Sequence, residues 1–477
     1  MKKHLDFKKC QKKIFDRNTT CLEVVKSHLE RIKEIKDLNI FIEVFEEESI
    51  SRAKNIDKKI TNKSAGKLAG MIVAIKDNIC YKNHSVNAAS KILKNFKSTF
   101  SATVVERLIQ EDAIIIGRVN CDEFAMGSTN ENSCFGPVKN PLNNKLTPGG
   151  SSGGCAAAVA ANLCHVALGS DTGGSIRQPA SFCGVMGLKP TYGMVSRHGL
   201  IAYASSFDQI GPISKSAYEI DIVMKIISGR DNYDTTCVFD NKDYETPSPS
   251  LDINKMKIAI IKEASFHNLL HVDVKKSFSK LIESISSAGH ETSQISMPIL
   301  NYLVPAYYIL TTAEASSNLS RYDGIKYGET QRKEIDHWEA VIKKTRSLGF
   351  GKEVKRRILL GTFVLSDGYY DNYYSKAQKI RRIVQEKTEE ILNEYDFILL
   401  PTSPTTPFNL NQKHKDPTVM YLQDVFTVQS NLSGHPSLSV PIFQYREDGP
   451  VGAQLIGKKL SDQTLLEYGN FILKNYV

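Results

Sequence analysis

Two stretches rich in glycine and serine carry the residues best suited to chemistry. Residues 147–154 read TPGGSSGG and hold Ser151, and residues 169–177 read GSDTGGSIR and hold Ser175. In both stretches the glycines let the backbone turn tightly and let a substrate approach it closely. A small nucleophilic side chain in such a setting is typical of acyl transfer, so the two serines are the first candidates for catalysis.

The backbone around the second serine offers a way to stabilise an oxyanion. Consecutive amides that point at one oxygen can hold the negative charge of a tetrahedral intermediate. The sequence predicts this role for the amides of Thr172, Gly173, Gly174 and Ser175. Asp171 and Arg177 flank the same loop, and they form either a supporting ion pair that fixes it or a plain surface pair.

A serine hydroxyl needs a base, and neither stretch contains a histidine. Lys76 follows the apolar run 71–75, which predicts a buried strand that ends in a lysine. Burial disfavours the charged amine and can lower its pKa, ordinarily about 10.4, by several units. A lysine–serine–serine relay is therefore chemically sound. On this stretch alone, an ion pair with an acid such as Asp77 is the simpler interpretation of the lysine.

These residues resemble the catalytic set of the amidase signature family. That set is a lysine, a serine preceded by a cis peptide bond, and a nucleophilic serine. Lys76 precedes Ser151 by 75 positions and Ser175 follows it by 24, the same spacings as in the family. The resemblance implies that Ser175 attacks an amide, while Ser151 and Lys76 carry the proton.

Within that family the chain is most similar to the glutaminase subunits of tRNA-dependent amidotransferases. The likeness runs nearly end to end and is carried by residues 68–78, 122–128, 187–193, 205–212, 353–358 and 366–371. It implies a carbon–nitrogen ligase of protein biosynthesis that takes its amido group from glutamine. The ammonia would convert Glu-tRNA(Gln) to Gln-tRNA(Gln) in an ATP-dependent heterotrimer. The implied partners are the B subunit, which binds tRNA and uses ATP, and the small C subunit.

The same resemblance implies a pocket for glutamine. Arg357 would bind the α-carboxylate, Asp424 would pair with the α-ammonium, and Tyr308 would line the pocket. Arg356 is adjacent to Arg357 and is an alternative for the carboxylate.

No cofactor is expected in this chain. It has no Walker A pattern, so the resemblance places ATP and Mg²⁺ in the tRNA-binding partner. No metal site is predicted, because His267 and His271 lack an H-E-x-x-H glutamate and a third ligand nearby.

The elements that must position these residues alternate between strands and helices, which indicates an α/β chain. Predicted strands are 70–76, 113–117, 165–169, 257–262, 397–400, 437–443 and 452–457, and predicted helices include 104–110, 153–162, 272–288 and 418–432. An earlier helix follows a capping-box pattern, Thr20 with Glu23. The resemblance implies a large mixed central sheet with helices on both faces.

We expect one amidase domain over residues 1–477, with a helical segment of about residues 1–60 packed on it. The polar segment 231–255 is either a linker or a surface excursion of that domain.

Composition bears on the partners and the cellular location of the protein. The formal charge of +9 comes from lysines scattered along the chain, which favours a solvated surface over a dedicated nucleic-acid patch. Nine cysteines without a C-x-x-C pair indicate reduced thiols. The N-terminus has no apolar signal region, and no apolar run is long enough to cross a bilayer. We therefore expect a cytoplasmic protein.

Other enzyme classes fit the sequence less well. Residues 73–76 spell the nucleotide-lysine strand of kinases, but no H-R-D or D-F-G triplet follows. Residues 150–154 match G-x-S-x-G, but the preceding residues 143–148 read as a loop where an α/β-hydrolase needs a strand. A non-enzymatic relative is disfavoured because all three catalytic residues are present. A stand-alone amidase for small amides shares them and remains the open alternative.

Overall fold

The computed structural model describes residues 6–245, 253, 255–265, 267–268, 270–331, 337–412, 418–443 and 449–477. Its centre is one sheet of 11 strands. In chain order the strands are β1 (Phe41–Val44), β2 (Ile72–Lys76), β3 (Ile114–Val119), β4 (Val166–Asp171), β5 (Met186–Lys189), β6 (Gln209–Ser214), β7 (Lys257–Ile261), β8 (Glu291–Ile295), β9 (Phe397–Pro401), β10 (Ser437–Phe443) and β11 (Val451–Ile456).

Parallel and antiparallel pairs are mixed in the sheet. The spatial order is β1-β3-β2-β4-β6-β5-β10-β11-β9-β7-β8. β2 runs parallel to both β3 and β4, and β7 runs parallel to both β8 and β9, while the central strands pair antiparallel. The predicted mixed sheet is confirmed.

Helices cover both faces of the sheet. They are α1 (Phe7–Phe15), α2 (Cys21–Glu34), α3 (Glu46–Thr61), α4 (Thr103–Gln110), α5 (Gly153–Ala160), α6 (Arg177–Phe182), α7 (Ala217–Ile227), α8 (Asn241–Glu245), α9 (Lys262–Ser265), α10 (Val272–Ser287), α11 (Leu303–Asn318), α12 (Trp338–Gly349), α13 (Lys352–Val364), α14 (Lys376–Glu394), α15 (Thr418–Tyr421), α16 (Val428–Ser433) and α17 (Asp462–Asn475). A π-helical turn spans Tyr370–Ser375 before α14.

Strand β2 shows how the core is arranged. Successive side chains of a strand point to opposite faces. Ile72 and Ala74 accordingly join a hydrophobic cluster with α1, α2, α3 and α5, whereas Val73 and Ile75 join a cluster with α4, α7, α10 and α17. Helices α1, α2 and α3 thus share a core with β2 and β3, and the segment predicted as helical also contributes strand β1, which pairs with β3.

Local signals agree with the structure at the start of α2. The Thr20 hydroxyl accepts from Glu23 N, and the Glu23 carboxylate accepts from Thr20 N, so the capping box is present. One further helix, α1, precedes it and is capped by Asp6, which accepts from Lys9 N.

The predicted helix 418–432 is wrong as a single element. A 3₁₀ turn, Leu422–Asp424, and a joint at residues 425–427 with 3₁₀-type hydrogen bonds separate α15 from α16. Thr427 at the joint donates its hydroxyl to the carbonyl of Gly173 at 2.6 Å. Contacts with the serine-containing loop therefore override the local helical pattern.

The described part of the segment 231–255 is a surface excursion. Asp234 forms an ion pair with Arg197 at 2.9 Å, and the Tyr244 hydroxyl donates to Asp221 at 3.1 Å. Residues 246–252 and 254 lie outside the described residues.

Candidate active site

Lys76 ends strand β2 and lies inside the protein. Both neighbouring strands pair with β2, and the Lys76 side chain is fully buried. Its Nζ lies 2.7 Å from Ser151 Oγ and 2.9 Å from Ser170 Oγ. The ion pair considered for Lys76 is wrong, because the nearest charged partner of Asp77 is Arg118 at 3.6 Å.

The buried environment of Lys76 shifts its protonation equilibrium toward the neutral amine. Burial lowers the pKa of Lys76, and the nearby groups of Cys121, Cys155, Asp122 and Asp171 oppose that shift without reversing it. A neutral amine has a lone pair and can accept a proton from the hydroxyl to which it is hydrogen-bonded. Lys76 and Ser151 therefore have the geometry of a base and its proton carrier, and the direction of the Lys76 pKa shift suits that role.

The loop of Ser151 is held by hydrogen bonds to neighbouring segments. The Gly150–Ser151 peptide bond is cis. The Ser151 carbonyl accepts from Asp122 N at 3.2 Å, and Gly150 N donates to Gln178 Oε1 at 2.9 Å. A Cβ on residue 150 would overlap the Asp122 carboxylate and lie 2.7 Å from Thr129 N. Only glycine fits before the serine, which explains this part of the predicted motif.

Ser175 lies in the loop between β4 and α6 and is partly exposed, whereas Lys76 and Ser151 are buried. The backbone joins the two serine stretches, since Ser152 N donates to the Ser175 carbonyl at 3.1 Å. The structure thus brings the three predicted catalytic residues into one place. The solvent-facing member of the set is the predicted nucleophile.

Asp171 and Arg177 form a buried pair, so the surface interpretation is wrong. Both side chains are 0% exposed. Arg177 Nε donates to Asp171 Oδ2 at 3.0 Å and Arg177 Nη2 to Asp171 Oδ1 at 2.9 Å. Burial alone would raise the pKa of Asp171, but Arg177 and Asn431 outweigh it and hold that pKa well below its usual range.

The remaining hydrogen bonds of Arg177 reach across the chain. It donates to the Thr427 carbonyl at 2.8 Å, to Ser430 Oγ at 2.7 Å, to Asn431 Oδ1 at 2.7 Å and to Gln454 Oε1. A buried charge with this many partners is well compensated. The pair therefore fixes the loop that carries Ser175 against α16 and β11.

The predicted oxyanion hole needs one correction. Gly174 N donates to Asp171 Oδ1 at 2.8 Å, so this amide is not free for a substrate oxygen. Gly174 has a φ of +134°, and a Cβ there would overlap Thr427. Its role is to shape the loop. The amides of Thr172, Gly173 and Ser175 stay the predicted donors.

Asp424 and Tyr308, both predicted to bind substrate, lie in contact. The Tyr308 hydroxyl donates to Asp424 Oδ2 at 3.0 Å, and the Ser128 hydroxyl donates to Asp424 Oδ1 at 3.2 Å. Burial raises the pKa of Asp424 to about 7, although both hydrogen bonds and the charge of Arg357 work against it. A buried carboxylate that is hydrogen-bonded to neutral hydroxyls is a suitable partner for a substrate ammonium.

Arg357, and not Arg356, lies in this pocket. Arg357 is 4% exposed and belongs to α13, where its Nε donates to Glu353 Oε1 at 2.9 Å and its Nη1 to the Tyr203 hydroxyl at 3.0 Å. Its guanidinium also lies 5.1 Å from the Tyr308 ring centroid. The Arg356 side chain is 46% exposed. Arg357 and Asp424 both contact Tyr308, so the structure places the guanidinium and the carboxylate on opposite sides of one tyrosine-lined site.

Sequence reasoning missed several members of this pocket. Ser128 stands in the quoted stretch 122–128, and Glu353 opens the quoted stretch 353–358, so both had a local signal. Tyr203 and Tyr421 had none. Tyr421 stacks on Tyr308 with ring centroids 4.2 Å apart.

The described residues hold no group of three or more His, Cys, Asp or Glu side chains placed to bind a metal ion. Within the same ranges, no helix combines the length and the apolar character that a membrane span requires. All nine cysteines have free thiols, and Cys134 is the exposed one.

Comparison with known proteins identifies the family of the chain. The family model described as Amidase matches residues 23–466. The A subunit of glutamyl-tRNA(Gln) amidotransferase from Chlorobium phaeobacteroides is 49% identical over 450 residues, 94% of this chain and 94% of that protein. Its counterpart from Prosthecochloris aestuarii is 48% identical over 462 residues, 96% of each protein. The crystal structure of the A subunit from Thermotoga maritima superposes with a TM-score of 0.77 at 40% identity, covering 95% of this chain and 92% of that one.

Proposed function

The chain belongs to the amidase family, and from that premise we propose that it is the glutamine-hydrolysing subunit of a glutamyl-tRNA(Gln) amidotransferase. The observation that carries the proposal is the buried Lys76 amine, hydrogen-bonded to Ser151 beside the accessible Ser175. The relatives of known name that match nearly the whole chain support this activity over that of a stand-alone amidase.

The first half of the reaction forms a glutamyl-enzyme. Ser175 Oγ attacks the side-chain amide carbon of glutamine, and its proton passes to Ser151, whose own proton moves to neutral Lys76. The amides of Thr172, Gly173 and Ser175 stabilise the oxyanion, and each such donor contributes about 3 kcal/mol in comparable sites. When the C–N bond breaks, the proton returns from Lys76 through Ser151 to the leaving nitrogen, and ammonia departs.

The second half regenerates the enzyme. Water adds to the glutamyl ester of Ser175, and the same relay takes the proton of that water. The C–O bond to Ser175 then breaks, the serine is reprotonated and glutamate is released. The Ser175-to-Ser151 step depends on the adjacency of two loops, which the 3.1 Å bond from Ser152 N to the Ser175 carbonyl supports.

Glutamine is selected through the two charged groups on its α-carbon, the carboxylate and the ammonium. The Arg357 guanidinium binds the α-carboxylate, and the Asp424 carboxylate binds the α-ammonium. Tyr308 lies against both groups, through its hydroxyl at Asp424 and its ring at Arg357. A small amide without these two charges would form neither charge-assisted contact, which disfavours its binding relative to glutamine.

The ammonia would serve a partner. In the proposed complex the B subunit binds the tRNA and uses ATP with Mg²⁺, and the small C subunit completes the heterotrimer. Glu-tRNA(Gln) is the proposed acceptor, and the proposed location is the cytoplasm. The names of the matching relatives, which designate one subunit of an amidotransferase, support a multi-subunit assembly.

A trapping assay tests the proposal. The purified chain is mixed with glutamine and hydroxylamine, with and without candidate partner subunits, and glutamyl hydroxamate is measured. We expect hydroxamate from the unsubstituted protein and none from Ser175→Ala. Full turnover by Ser175→Ala would refute the assigned nucleophile, and hydroxamate from simple amides but not from glutamine would favour the stand-alone amidase.

A further inference from the structure

Glu123 is a buried acid with no role in the relay or in substrate binding as described above. It is 5% exposed and opens a short 3₁₀ turn, Glu123–Ala125. Its Oε2 accepts from Gly351 N at 2.8 Å and its Oε1 from the same amide at 3.1 Å. The Ser90 hydroxyl donates to Oε1 as well. The carboxylate is thus bound to a backbone amide 228 positions away.

That amide belongs to the residue that begins α13. Gly351 is the N-cap residue of this helix and has no side chain with which to cap it. The first amides of a helix lack intrahelical acceptors, and a negative charge there is favourable. Glu123 supplies both the acceptor and the charge. A Cβ on residue 351 would overlap Glu123 Oε2, so the glycine is needed for this contact.

Helix α13 also carries the arginine proposed to bind the substrate carboxylate. Arg357 lies six positions after Gly351, about 9 Å along the helix axis. Helical side chains lean toward the N-terminus, so the Arg357 guanidinium extends back toward the capped end. A shift of the first turn of α13 therefore moves the guanidinium.

The other end of the connection reaches the catalytic loop. Asp122, the residue before Glu123, donates its amide to the Ser151 carbonyl at 3.2 Å. Glu123 N donates to the Asn132 carbonyl at 2.7 Å, and the amide of Asn132 donates in turn to the Asp122 carboxylate. Two consecutive residues thus contact the proton-relay loop and the start of the arginine-bearing helix.

We propose that Glu123 is a positioning residue which sets the distance between the Arg357 guanidinium and the Ser151 loop, and thereby selects substrates that carry an α-carboxylate. This inference rests on the proposed function. It adds a determinant of selectivity that makes no contact with the substrate itself. Its consequence is specific, because a poorly placed Arg357 penalises ligands with an α-carboxylate and leaves other amides unaffected.

The test compares glutamine with two ligands that each lack one of its charged groups. Full-length Ser175→Ala protein, which cannot turn over, is titrated by calorimetry with glutamine, with glutaramate (no α-ammonium) and with 4-aminobutanamide (no α-carboxylate). Adding Glu123→Ala should weaken glutamine and glutaramate about fivefold, the factor that corresponds to the free energy of one lost helix cap, and should leave 4-aminobutanamide unchanged. Glu123→Gln keeps an acceptor oxygen for Gly351 N and should restore most of the lost affinity.

Two further variants complete the design. Gly351→Ala displaces the carboxylate from the helix side and should reproduce the selective loss, which keeps the test decisive if Glu123→Ala does not fold. Thr20→Ala removes a cap from the remote helix α2 and should change no affinity.

Equal losses for all three ligands would overturn the inference and make Glu123 purely structural. If Ser175→Ala itself bound glutamine no better than 4-aminobutanamide, the carboxylate site in the proposed function would fall together with the inference.

Discussion

Lowering the pH from about 8 to about 6 should weaken glutamine binding about tenfold, because Asp424 loses its charge over this interval. Burial raises the pKa of Asp424 to about 7. Above that value the group is a carboxylate and attracts the α-ammonium of glutamine, and below it the group is neutral and does not. The α-ammonium of the free amino acid stays charged throughout.

The magnitude follows from the ionised fraction. With a pKa of about 7, roughly ten of eleven molecules carry the Asp424 carboxylate at pH 8 and roughly one of eleven at pH 6. If only the ionised form binds glutamine, the dissociation constant changes by the same factor. The hydrogen bonds from Ser128 and Tyr308 remain available to either form and do not offset the loss.

Calorimetric titration of Ser175→Ala protein across this pH range measures the effect without turnover. Glutaramate, which lacks the α-ammonium, should show no such loss on acidification. Asp424→Asn is isosteric and keeps one acceptor oxygen for Ser128 or Tyr308 but carries no charge, so it should bind glutamine weakly and without the tenfold step. Burial also raises the pKa of Glu123 to about 7. Asp424→Asn distinguishes the two acids, because any pH effect that remains in this variant cannot come from Asp424. Persistence of the full pH effect in Asp424→Asn would refute the assignment.

Other substitutions test neighbouring parts of the account. Arg357→Ala should weaken glutamine about 10- to 100-fold in the same titration, the effect of losing hydrogen bonds to a charged group, whereas the exposed Arg356→Ala should change it less than about twofold; the reverse order would exchange their roles. Arg177→Met leaves Asp171 buried and uncompensated and should lower the free energy of unfolding by about 3–5 kcal/mol in urea, and a loss below about 1 kcal/mol would contradict the buried pair. Thr20→Ala should cost about 1 kcal/mol by the same method, and no change would mean that the capping box contributes nothing.

The catalytic set was predictable because its signals are local. Lys76 ends an apolar run, and the run is a strand buried on both faces. Ser151 and Ser175 sit in glycine-rich stretches whose glycines are required by contacts, as at Gly150. The spacing of Lys76, Ser151 and Ser175 matches that of the amidase signature family, which identified the three as one set. In the structure Lys76 is hydrogen-bonded to Ser151.

The partners of these residues were not predictable from local pattern. Arg177 is held by the Thr427 carbonyl, 250 positions away, and by Asn431, 254 positions away. The buried state of the Asp171–Arg177 pair depends on those distant partners, and nothing in residues 169–177 distinguishes it from a surface pair. The Gly174 amide was misassigned for a related reason, since a flexible glycine loop does not reveal which amide its own aspartate will bind.

The prediction of one helix over residues 418–432 was wrong because tertiary contacts interrupt it. Residues 418–432 have helical periodicity, yet the α-helical hydrogen bonds give way to tighter 3₁₀-type bonds between Leu422 and Thr427. In this stretch Asp424 meets Tyr308, and Thr427 meets Gly173. Both contacts serve the site, so local helical preference yields to them.

The central claim is that buried, neutral Lys76 drives acylation of Ser175 through Ser151. Rapid quench of the enzyme with glutamine, followed by peptide mass spectrometry, measures the glutamyl adduct directly. The account predicts an adduct on the peptide that contains Ser175 in the unsubstituted protein, and none in a folded Lys76→Met variant. An adduct formed at full rate without Lys76, or found on a residue other than Ser175, would contradict it.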